Sequence, residues 1–431
     1  MKNTINSRRT LLKSAGALAI LPFTTFHNVH AYPNPIEHIQ PDYNADFWQA
    51  IRTEYSMDRT MINLNNGGVS PSPKSVIESL HKAIDYANLA PARNLWQQLE
   101  PGVERVREGL ADMFGTQVSE IAITRNASES LQNIQLGMSL SAGDEVLTTI
   151  YDYPRMITAW EQRVRRDNIV LKKIEIPMPL LDPMDAVNAI EKAITKKTKV
   201  IHVSHIPFCT GQIMPIKAIC EMAKKYSIEC IVDGAHSFAH IPFKQQDLQC
   251  DYFATSLHKW LYAPIGTGML YVKKEKISSI WPLMAAPTEM DDSIKKFEEI
   301  GTHQSALHNA ISDALVFNER ITVERKAERL RALNKRWIDK IKQDKRVSFS
   351  VNIDDDQQWC GIIVVMFKGF NHEKIGEYLM NTHRIISTPL KYANIDGLRI
   401  TPNIYIGESE IDYFAQALLN ILDGKVSGLT K

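Results

Sequence analysis

The sequence predicts an α/β fold, in which a large domain with a mostly parallel sheet covered by helices on both faces precedes a smaller α+β C-terminal domain. From residue 121 to residue 272, short apolar runs alternate with segments whose apolar residues recur at helical spacing. Such alternation is typical of a parallel sheet flanked by helices. With 431 residues, 44% of them hydrophobic, the chain is long enough for a large core and two or three lobes.

The first 31 residues predict an export signal. They have a basic start, an apolar run at 15–23 that is too short to span a bilayer, and small residues suited to cleavage after Ala31. The segment SRRTLLK at 7–13 resembles a twin-arginine signal, which a translocase reads and which carries folded cargo. We therefore expect a periplasmic protein with the twin-arginine translocase as a partner and no stable membrane insertion. A basic helix on a cytoplasmic protein is the alternative.

The elements of the mature chain follow in order. Residues 32–62 are expected to form a linker and N-terminal arm, residues 63–310 the large domain, and residues 311–431 an interdomain helix and the small domain. The large domain has helical spacing at 75–90 and 103–114, and its expected strands are IAIT, EVLTTI, IVLKKIEI, KVIHVSHI, ECIVD, DYFATS and GMLYV. A charged helical region over 311–342 leads to the strands IIVVMFK and LRITPNIYI and a final amphipathic helix over 408–422.

Charge and cysteine content exclude several classes of protein. The signal region holds four basic residues and no acidic one, which leaves 46 basic and 49 acidic residues in the remainder. This balance offers no basic surface for nucleic acid. The five cysteines are odd in number and lack a repeated spacing, so they predict neither a disulfide framework nor a zinc site. The pairs His202 and His205, and His236 and His240, lack a third, acidic ligand, and no metal is expected.

A lysine and an aspartate are placed for cofactor chemistry. Lys259 follows the strand DYFATS, and Asp233 ends the strand ECIVD about one βα unit earlier. Ligands of such sheets bind at the carboxyl ends of the strands. A desolvated lysine has a lowered pKa and forms a Schiff base with a carbonyl compound, while a carboxylate pairs with a protonated pyridine nitrogen. This combination is what pyridoxal phosphate requires. Ser256 and His258 are both able to hold a phosphate.

In their order along the chain, these motifs resemble the class V aminotransferases, pyridoxal-phosphate enzymes of fold type I, and most nearly the isopenicillin N epimerase-like and cysteine desulfurase-like branches. The resemblance covers residue 63 to the C-terminus. It implies that pyridoxal 5'-phosphate is the cofactor, that Lys259 is the catalytic residue, and that the fold is that of a fold-type I enzyme.

The resemblance also implies roles for individual residues. The turn TRNASE at 124–129 offers helix N-terminal amides and a hydroxyl, which fit an ordinary helix cap or an anion site; in the family, the residues matching Ala127 and Ser128 bind the cofactor phosphate. Tyr153 matches the ring that stacks on the cofactor. In VDGAHS, Asp233 matches the acid at the pyridine nitrogen, Ala235 the small residue against the ring, and His236 the side chain near the ring oxygen.

Two further matches concern a partner subunit and the substrate. Thr302 matches the segment that reaches the phosphate across a dimer interface, which implies a homodimer with composite active sites. Arg399 matches the small-domain arginine that binds a substrate α-carboxylate, for which a planar guanidinium is suited. Phe208 stands where many relatives have asparagine, so reaction specificity does not transfer directly.

The sequence leaves the reaction open. We expect an exported enzyme that forms an external aldimine with an amino-acid or peptide amine and reacts at Cα, as an aminotransferase or an epimerase. A lyase or desulfurase-like enzyme, or one that tailors peptide siderophores, is the alternative. Desulfurases need a mobile cysteine shortly before the carboxylate-binding arginine, and the segment RIISTPLKYANIDGLR at 384–399 has none. The non-enzymatic alternative is a catalytically silent binding protein on the same fold.

Overall fold

A computed structural model describes residues 45–430. The signal segment 1–31 and residues 32–44 of the arm expected at 32–62 lie outside these residues. Within them, no helix is long and apolar enough to span a bilayer. The described residues fall within one compact unit, so the domain boundary placed between residues 310 and 311 stays a prediction.

The strands of the described residues fall into three sheets. They are β1 (Ile62–Asn63), β2 (Ile121–Thr124), β3 (Glu145–Thr149), β4 (Val170–Ile174), β5 (Thr198–Ser204), β6 (Glu229–Asp233), β7 (Tyr252–Ser256), β8 (Gly268–Val272), β9 (Val347–Phe349), β10 (Ile363–Phe367), β11 (Ile385–Ile386), β12 (Thr388–Tyr392) and β13 (Ile395–Ile400). The central sheet has the order β2-β8-β7-β6-β5-β3-β4, and only β8 runs antiparallel to its neighbours. The mostly parallel sheet predicted from the sequence is confirmed.

The helices of the described residues cover the sheets. They are α1 (Ala45–Thr53), α2 (Lys74–Leu89), α3 (Pro91–Asn94), α4 (Glu100–Phe114), α5 (Ala127–Gly137), α6 (Pro154–Asp167), α7 (Met184–Ala193), α8 (Ile216–Lys225), α9 (Ser305–Asn309), α10 (Ile311–Ile321), α11 (Val323–Ile341), α12 (His372–His383) and α13 (Glu408–Leu422). Several ends follow local chemistry: the Asn126 side chain caps α5 at the Glu129 N–H, and α4 ends at Gly115 with φ +77°.

Alternate residues of the central strands pack on opposite faces of the sheet. Tyr252 and Ala254 of β7 join the core beneath α5 and α6, which includes Trp160. Phe253, between them, packs against Phe114 of α4 with ring centroids 4.7 Å apart. Because side chains of a strand alternate between faces, this pattern shows that helices cover both faces of the sheet.

The C-terminal lobe contains the antiparallel sheet β12-β13-β10-β9. Helices α11 and α13 pack together, and Arg336 of α11 forms ion pairs with Glu408 and Asp412 of α13. The N-terminal segment joins this lobe, because β1 pairs in parallel with β11 and the Thr401 N–H donates to the Leu64 carbonyl at 2.7 Å. The lobe is therefore completed by residues from the other end of the chain.

Two expected elements differ from the structure. The helical region over 311–342 is broken at Thr322 (φ 66°), whose hydroxyl caps α11 by accepting from the Arg325 N–H. The strand expected over LRITPNIYI ends at Ile400. Pro402 has no N–H to donate to a neighbouring strand, which explains why the ladder does not continue.

Candidate active site

A cavity of about 450 Å³ opens where the parallel strands of the central sheet end. Asp233 is the last residue of β6 and Ser256 is the last residue of β7. Strand β13 of the C-terminal lobe contributes Arg399 from the opposite side of the cavity. Ten of the eleven residues predicted for the site line this cavity: Ala127, Ser128, Tyr153, Asp233, Ala235, His236, Ser256, His258, Lys259 and Arg399.

Lys259 lies in a tight turn after β7 that several segments hold in place. The Leu257 N–H donates to the Thr267 carbonyl at 3.0 Å, across the turn. From α10, the Asn318 amide donates to the Leu261 carbonyl at 2.7 Å, and from α11 the Lys326 amine donates to the Trp260 carbonyl at 2.7 Å. The backbone around the lysine is thereby fixed, which aims its side chain into the cavity.

The electrostatic environment favours the neutral form of the Lys259 amine. Burial lowers the pKa of Lys259 to about 8, opposed by the charge of Asp233 and assisted by that of Arg399. The amine lies 3.2 Å from Nε2 of His236. A neutral amine is nucleophilic and able to accept a proton at pH values just above neutrality.

Asp233 is a buried acid with one backbone hydrogen bond. Its Oδ1 accepts from the Ala235 N–H at 2.9 Å. Burial raises the pKa of Asp233, while that hydrogen bond and the charge of Lys259 act in the opposite direction. A buried carboxylate favours a cationic hydrogen-bond donor as partner. The arrangement therefore suits a protonated ring nitrogen beside Asp233.

The N-terminus of α5 forms the anion-binding end of the cavity. The Ala127 N–H donates to the Ser256 hydroxyl at 3.0 Å, which joins this helix to the end of β7. His258 donates from Nδ1 to the Thr267 carbonyl at 3.2 Å and keeps its other ring nitrogen for a ligand. Helix N-termini and hydroxyls bind phosphate favourably.

Gly268 allows β8 to approach this anion site closely. A Cβ at position 268 would lie 2.6 Å from the backbone of Asn126, the residue that caps α5. We expect Gly268→Ala to lower the free energy of unfolding by about 1–3 kcal/mol and to weaken phosphate binding, because the α5 N-terminus must shift. Chemical unfolding and titration with the cofactor measure both effects.

Gly68→Ala is the matched control, since its added Cβ would meet its nearest neighbour at an ordinary 3.6 Å. We expect this control to unfold at the same denaturant concentration as the wild type. Equal stability of Gly268→Ala and the control would contradict the close approach.

Arg399 carries a buried guanidinium with unused donors. Its side chain is 8% exposed, and Nη2 donates to the Asn65 side chain at 3.0 Å. Nε of Arg399 and the hydroxyl of Thr388, the residue beside it on β12, have no hydrogen-bond partner among the described residues. Buried donors without partners favour an anionic ligand at this end of the cavity.

Tyr153 lies at the mouth of the cavity, after β3. Its ring is 37% exposed and packs edge-to-face on Phe208, with centroids 5.4 Å apart. The preceding Asp152 accepts from the Ser204 N–H at 2.7 Å, and its carbonyl accepts from the Tyr392 hydroxyl at 2.9 Å. The small lobe therefore contributes to the position of the turn that carries Tyr153.

Thr302 does not line this cavity. It lies with Gly301 and His303 against a separate cavity of about 380 Å³ near Arg107. In the described chain, Thr302 and Lys259 are thus not brought together. A contribution of Thr302 to an active site would have to be made to another copy.

Sequence reasoning missed several residues of the cavity. Some lie within a few residues of positions that the sequence analysis names, namely Asn126, Leu131, Arg155, Met156, Ser204 and Ile206, whereas Gly67, Gly68, Thr388 and Leu390 come from segments to which no site role was assigned. Arg155 is the residue that a charge-based search would have found, since it lies two positions beyond Tyr153. Among the described residues, no three His, Cys, Asp or Glu side chains are grouped to hold a metal.

The lining of the cavity offers a counterpart for each part of pyridoxal 5'-phosphate. It combines a lysine with a lowered pKa, a buried acid, a helix N-terminus with flanking hydroxyls, and an aromatic ring at the mouth. These four features match the aldehyde, the ring nitrogen, the phosphate and the ring face of the cofactor. The residues present therefore fit it.

Comparisons with known proteins agree with this geometry. The isopenicillin N epimerase of Amycolatopsis lactamdurans is 28% identical over 307 residues, covering 67% of this chain and 77% of that protein. The isopenicillin N epimerase of Streptomyces clavuligerus is 28% identical over 54% of this chain, and the match spans only 59% of that protein. A probable cysteine desulfurase of Pyrococcus abyssi is 29% identical over 56% of this chain and 61% of its own length.

Solved structures share the fold. A mutant of C-DES with glycine covalently linked to its pyridoxal-phosphate cofactor superposes with a TM-score of 0.77, at 21% identity over 85% of this chain and 98% of that one. The apo cysteine desulfurase of Thermococcus onnurineus has a TM-score of 0.75, at 22% identity over 87% of this chain and 98% of that one.

The model of the aminotransferase class-V family matches residues 62–388, well over half of the chain. With the observed sheet and the fit of the cavity, this match confirms the predicted fold and cofactor. The chain belongs to the class-V aminotransferase family, and its cofactor is pyridoxal 5'-phosphate.

Proposed function

We propose that this protein is a pyridoxal-phosphate enzyme that acts at Cα of an amino acid or of a peptide with a free α-amino acid group, by epimerisation or transamination. The observation that carries the proposal is the meeting of Lys259 and Arg399 in one cavity, which also contains Asp233. A carboxylate-binding group opposite a base suits a substrate that has a carboxylate on the carbon to be deprotonated.

Arg399 binds the substrate carboxylate in this proposal. Its buried Nε and the neighbouring Thr388 hydroxyl supply donors that the described residues leave unused. Asn65 and the Phe208 carbonyl accept from the other side of the guanidinium, at 3.0 and 3.4 Å, and fix its plane. A fixed guanidinium orients the substrate, so that its Cα proton faces the lysine.

Lys259 holds and moves the proton. When bound, pyridoxal 5'-phosphate supplies an electron-withdrawing ring that acidifies the Cα proton of an attached amine. The neutral Lys259 amine removes this proton at Nζ, and its pKa of about 8 allows it to return the proton at similar pH. Asp233 keeps a negative charge at the ring nitrogen, while Ala235 leaves room for the ring.

The remaining predicted residues position the cofactor. Ala127, Ser128, Ser256 and His258 would hold the phosphate, and His236, which lies beside the lysine, would face the ring oxygen. Tyr153 would cover the ring from the mouth of the cavity. Each role rests on the resemblance to class-V enzymes and is supported by the side chain's place in the cavity.

A homodimer is part of the proposal. Thr302 would reach the phosphate of the partner subunit, which is consistent with its distance from the cavity of its own chain. Large apolar side chains that are exposed in the single chain, Trp281 at 71% and Ile265 at 68%, support an interface. Light scattering of the purified protein tests this, and a monomer at working concentrations would contradict it.

Export to the periplasm by the twin-arginine translocase is also proposed. Its support is the motif SRRTLLK at 7–13 with the apolar run that follows. An exported enzyme would meet cell-wall amino acids or peptides, and a peptide-siderophore intermediate is one candidate of that class. Fractionation of cells that express the full chain tests the location, and unprocessed protein confined to the cytosol would contradict it.

A lyase reaction is the second candidate, because matched relatives include proteins named cysteine desulfurase and hercynylcysteine sulfoxide lyase. All five cysteines of this chain are buried, and burial raises the pKa of Cys209 and of Cys360 to about 12. A mobile thiolate that accepts sulfur is therefore not provided. Elimination from a sulfur-containing substrate needs no protein thiolate and remains the form of lyase activity to test.

One experiment separates these reactions. The cofactor-loaded protein is mixed with L- and D-amino acids and amine-bearing peptides in deuterated water, and products are analysed by mass spectrometry and chiral chromatography. Inverted product with deuterium at Cα indicates an epimerase. A keto product with the cofactor converted to its amine form indicates an aminotransferase. Release of ammonia, a keto acid and a sulfur species indicates a lyase, and no exchange with any substrate would overturn the proposal.

A further inference from the structure

His236 joins Lys259 to a buried tryptophan. Nε2 of His236 lies 3.2 Å from the Lys259 amine, and Nδ1 accepts from the Trp260 indole N–H at 3.4 Å. Trp260 is completely buried and follows Lys259 directly in the chain. The two ring nitrogens of one histidine therefore contact two consecutive residues.

This contact determines which ring nitrogen of His236 carries the proton. An indole nitrogen only donates hydrogen bonds, so Nδ1 of His236 must be an acceptor. Burial lowers the pKa of His236 well below its usual value, so the ring is neutral and has one N–H. That proton is on Nε2, the nitrogen that faces Lys259.

We propose that Trp260 is a positioning residue that fixes the Nε2–H tautomer of His236 and thereby favours the neutral form of the Lys259 amine over the protonated form. A neutral amine accepts a hydrogen bond from Nε2–H through its lone pair. A protonated amine has only donors, and it would face the donor of His236 without an acceptor. The contact therefore disfavours protonation of the lysine.

Trp260 is itself held in a fixed orientation. Its ring stacks on His240 with centroids 3.7 Å apart and an angle of 8° between the planes. His240 donates from Nδ1 to the His236 carbonyl at 2.6 Å and accepts from the Gly361 N–H at 2.8 Å. A Cβ at position 361 would lie 2.9 Å from the indole ring, so glycine is needed for this packing.

Charged groups act on Lys259 in addition to the neutral ring of His236. Asp233 on β6 favours the protonated amine, while Arg399 on β13 disfavours it. His258, the preceding residue, has its pKa lowered by burial and by Lys259, and is neutral near pH 7. Trp260 has no charge, so its effect on the amine must pass through the tautomer of His236.

The test uses the protein without cofactor, in which Lys259 is a free amine bordering the cavity. Limiting acetic anhydride is applied across a range of pH, and mass spectrometry follows acetylation of the peptide containing residue 259. In Trp260→Phe, His236 is free to offer a lone pair to a protonated amine. We therefore expect the pH at the midpoint of Lys259 acetylation to rise by roughly one unit, which corresponds to the free energy of one hydrogen bond. An unchanged midpoint would overturn the proposal.

Trp337→Phe is the matched control. Trp337 is also fully buried and donates from its indole to Asn334 at 2.9 Å, in α11. We expect its midpoint to equal that of the wild type. In a His236→Ala background, Trp260→Phe should leave the midpoint unchanged, and a shift there would show that the tryptophan acts by another route and contradict the proposal.

A second measurement does not require a variant. Nitrogen-15 NMR of the histidines distinguishes the two neutral tautomers, and we expect His236 to be protonated at Nε2. Finding the proton on Nδ1 would exclude the proposed role even if Trp260→Phe failed to fold. The inference rests on the assignment of Lys259 as the reactive amine but needs no turnover. Failure of the proposed reaction and failure of this inference are therefore seen in different assays.

Discussion

Lys259→Met is expected to reduce turnover by about 10³-fold or more while stabilising the protein without cofactor. The loss follows because the amine is both the attachment point of the cofactor and the group that moves the Cα proton. Borohydride reduction of the loaded wild type should attach the cofactor mass to the peptide containing residue 259, and the variant should show no such attachment. Residual turnover within tenfold of the wild type would contradict the catalytic assignment.

The gain in stability has a defined pH dependence. The pKa of Lys259 falls from 10.5 in the unfolded chain to about 8 in the folded one, which corresponds to a cost of at most about 3 kcal/mol. The cost is less than this limit because the amine borders the cavity. It is complete below pH 8 and disappears as the pH rises towards 10.5, since the unfolded chain binds more protons in that window.

Chemical unfolding of the cofactor-free proteins at pH 7 and at pH 10 measures this effect. We expect the free energy of unfolding of Lys259→Met to exceed that of the wild type at pH 7, and we expect this difference to shrink at pH 10. Lys296→Met is the contrasting variant, because the buried Lys296 amine donates to the Ile277 and Asp291 carbonyls at 2.7 and 2.8 Å. Its removal deletes both of these hydrogen bonds and should destabilise the protein. Destabilisation of Lys259→Met at pH 7 would contradict the cost assigned to burial of the Lys259 ammonium group.

Arg399→Ala is expected to raise KM for an α-amino acid substrate about a hundredfold or more, with a smaller effect on kcat. Removing one partner of a buried, hydrogen-bonded charge pair costs about 2–5 kcal/mol, and each 1.4 kcal/mol corresponds to about tenfold in affinity. The same change removes a positive charge that lowers the pKa of Lys259, so the acidic limb of the pH profile, where the base becomes protonated, should move to higher pH. Steady-state kinetics across pH measure both effects.

Two further variants make the Arg399 result specific. Asn65→Ala removes an acceptor that orients the guanidinium, and we expect a smaller rise in KM. Lys391→Ala removes an exposed cation from β12, the strand beside β13, and should leave KM unchanged. An unchanged KM in Arg399→Ala would exclude the carboxylate assignment. A substrate without a carboxylate should be insensitive to Arg399→Ala.

The parts of the fold that repeat a simple pattern were predictable from the sequence. Apolar runs such as ECIVD and DYFATS become buried central strands because only the interior of a covered sheet accommodates them. The break at Thr322 was not predictable, because no glycine or proline marks it and the helical spacing continues across it. A threonine in a left-handed conformation is a local exception that the tertiary structure imposes.

The site residues were predictable where a side chain suited to cofactor binding lies at the end of a predicted strand. Asp233 and Ser256 end strands of one sheet, so their meeting follows from the topology. Asn65 and Thr388 could not be assigned to the site from the sequence. Asn65 precedes Arg399 by more than 300 residues and reaches it only in the folded chain. Thr388 lies beside Arg399 because strands β12 and β13 pair. The tautomer of His236 depends on a single indole contact, for which the sequence has no pattern.

The pairing of residues 62–64 with the C-terminal lobe limits how far the chain can be trimmed. Asn65 reaches Arg399 only because β1 is anchored on β11, and α1 before it buries Phe47, Trp48 and Ile51. A protease that removes an N-terminal leader must therefore cut before Ala45 if the enzyme is to keep both its packing and its substrate ligand. The predicted cleavage after Ala31 meets this requirement, since it would fall thirteen residues before the start of α1.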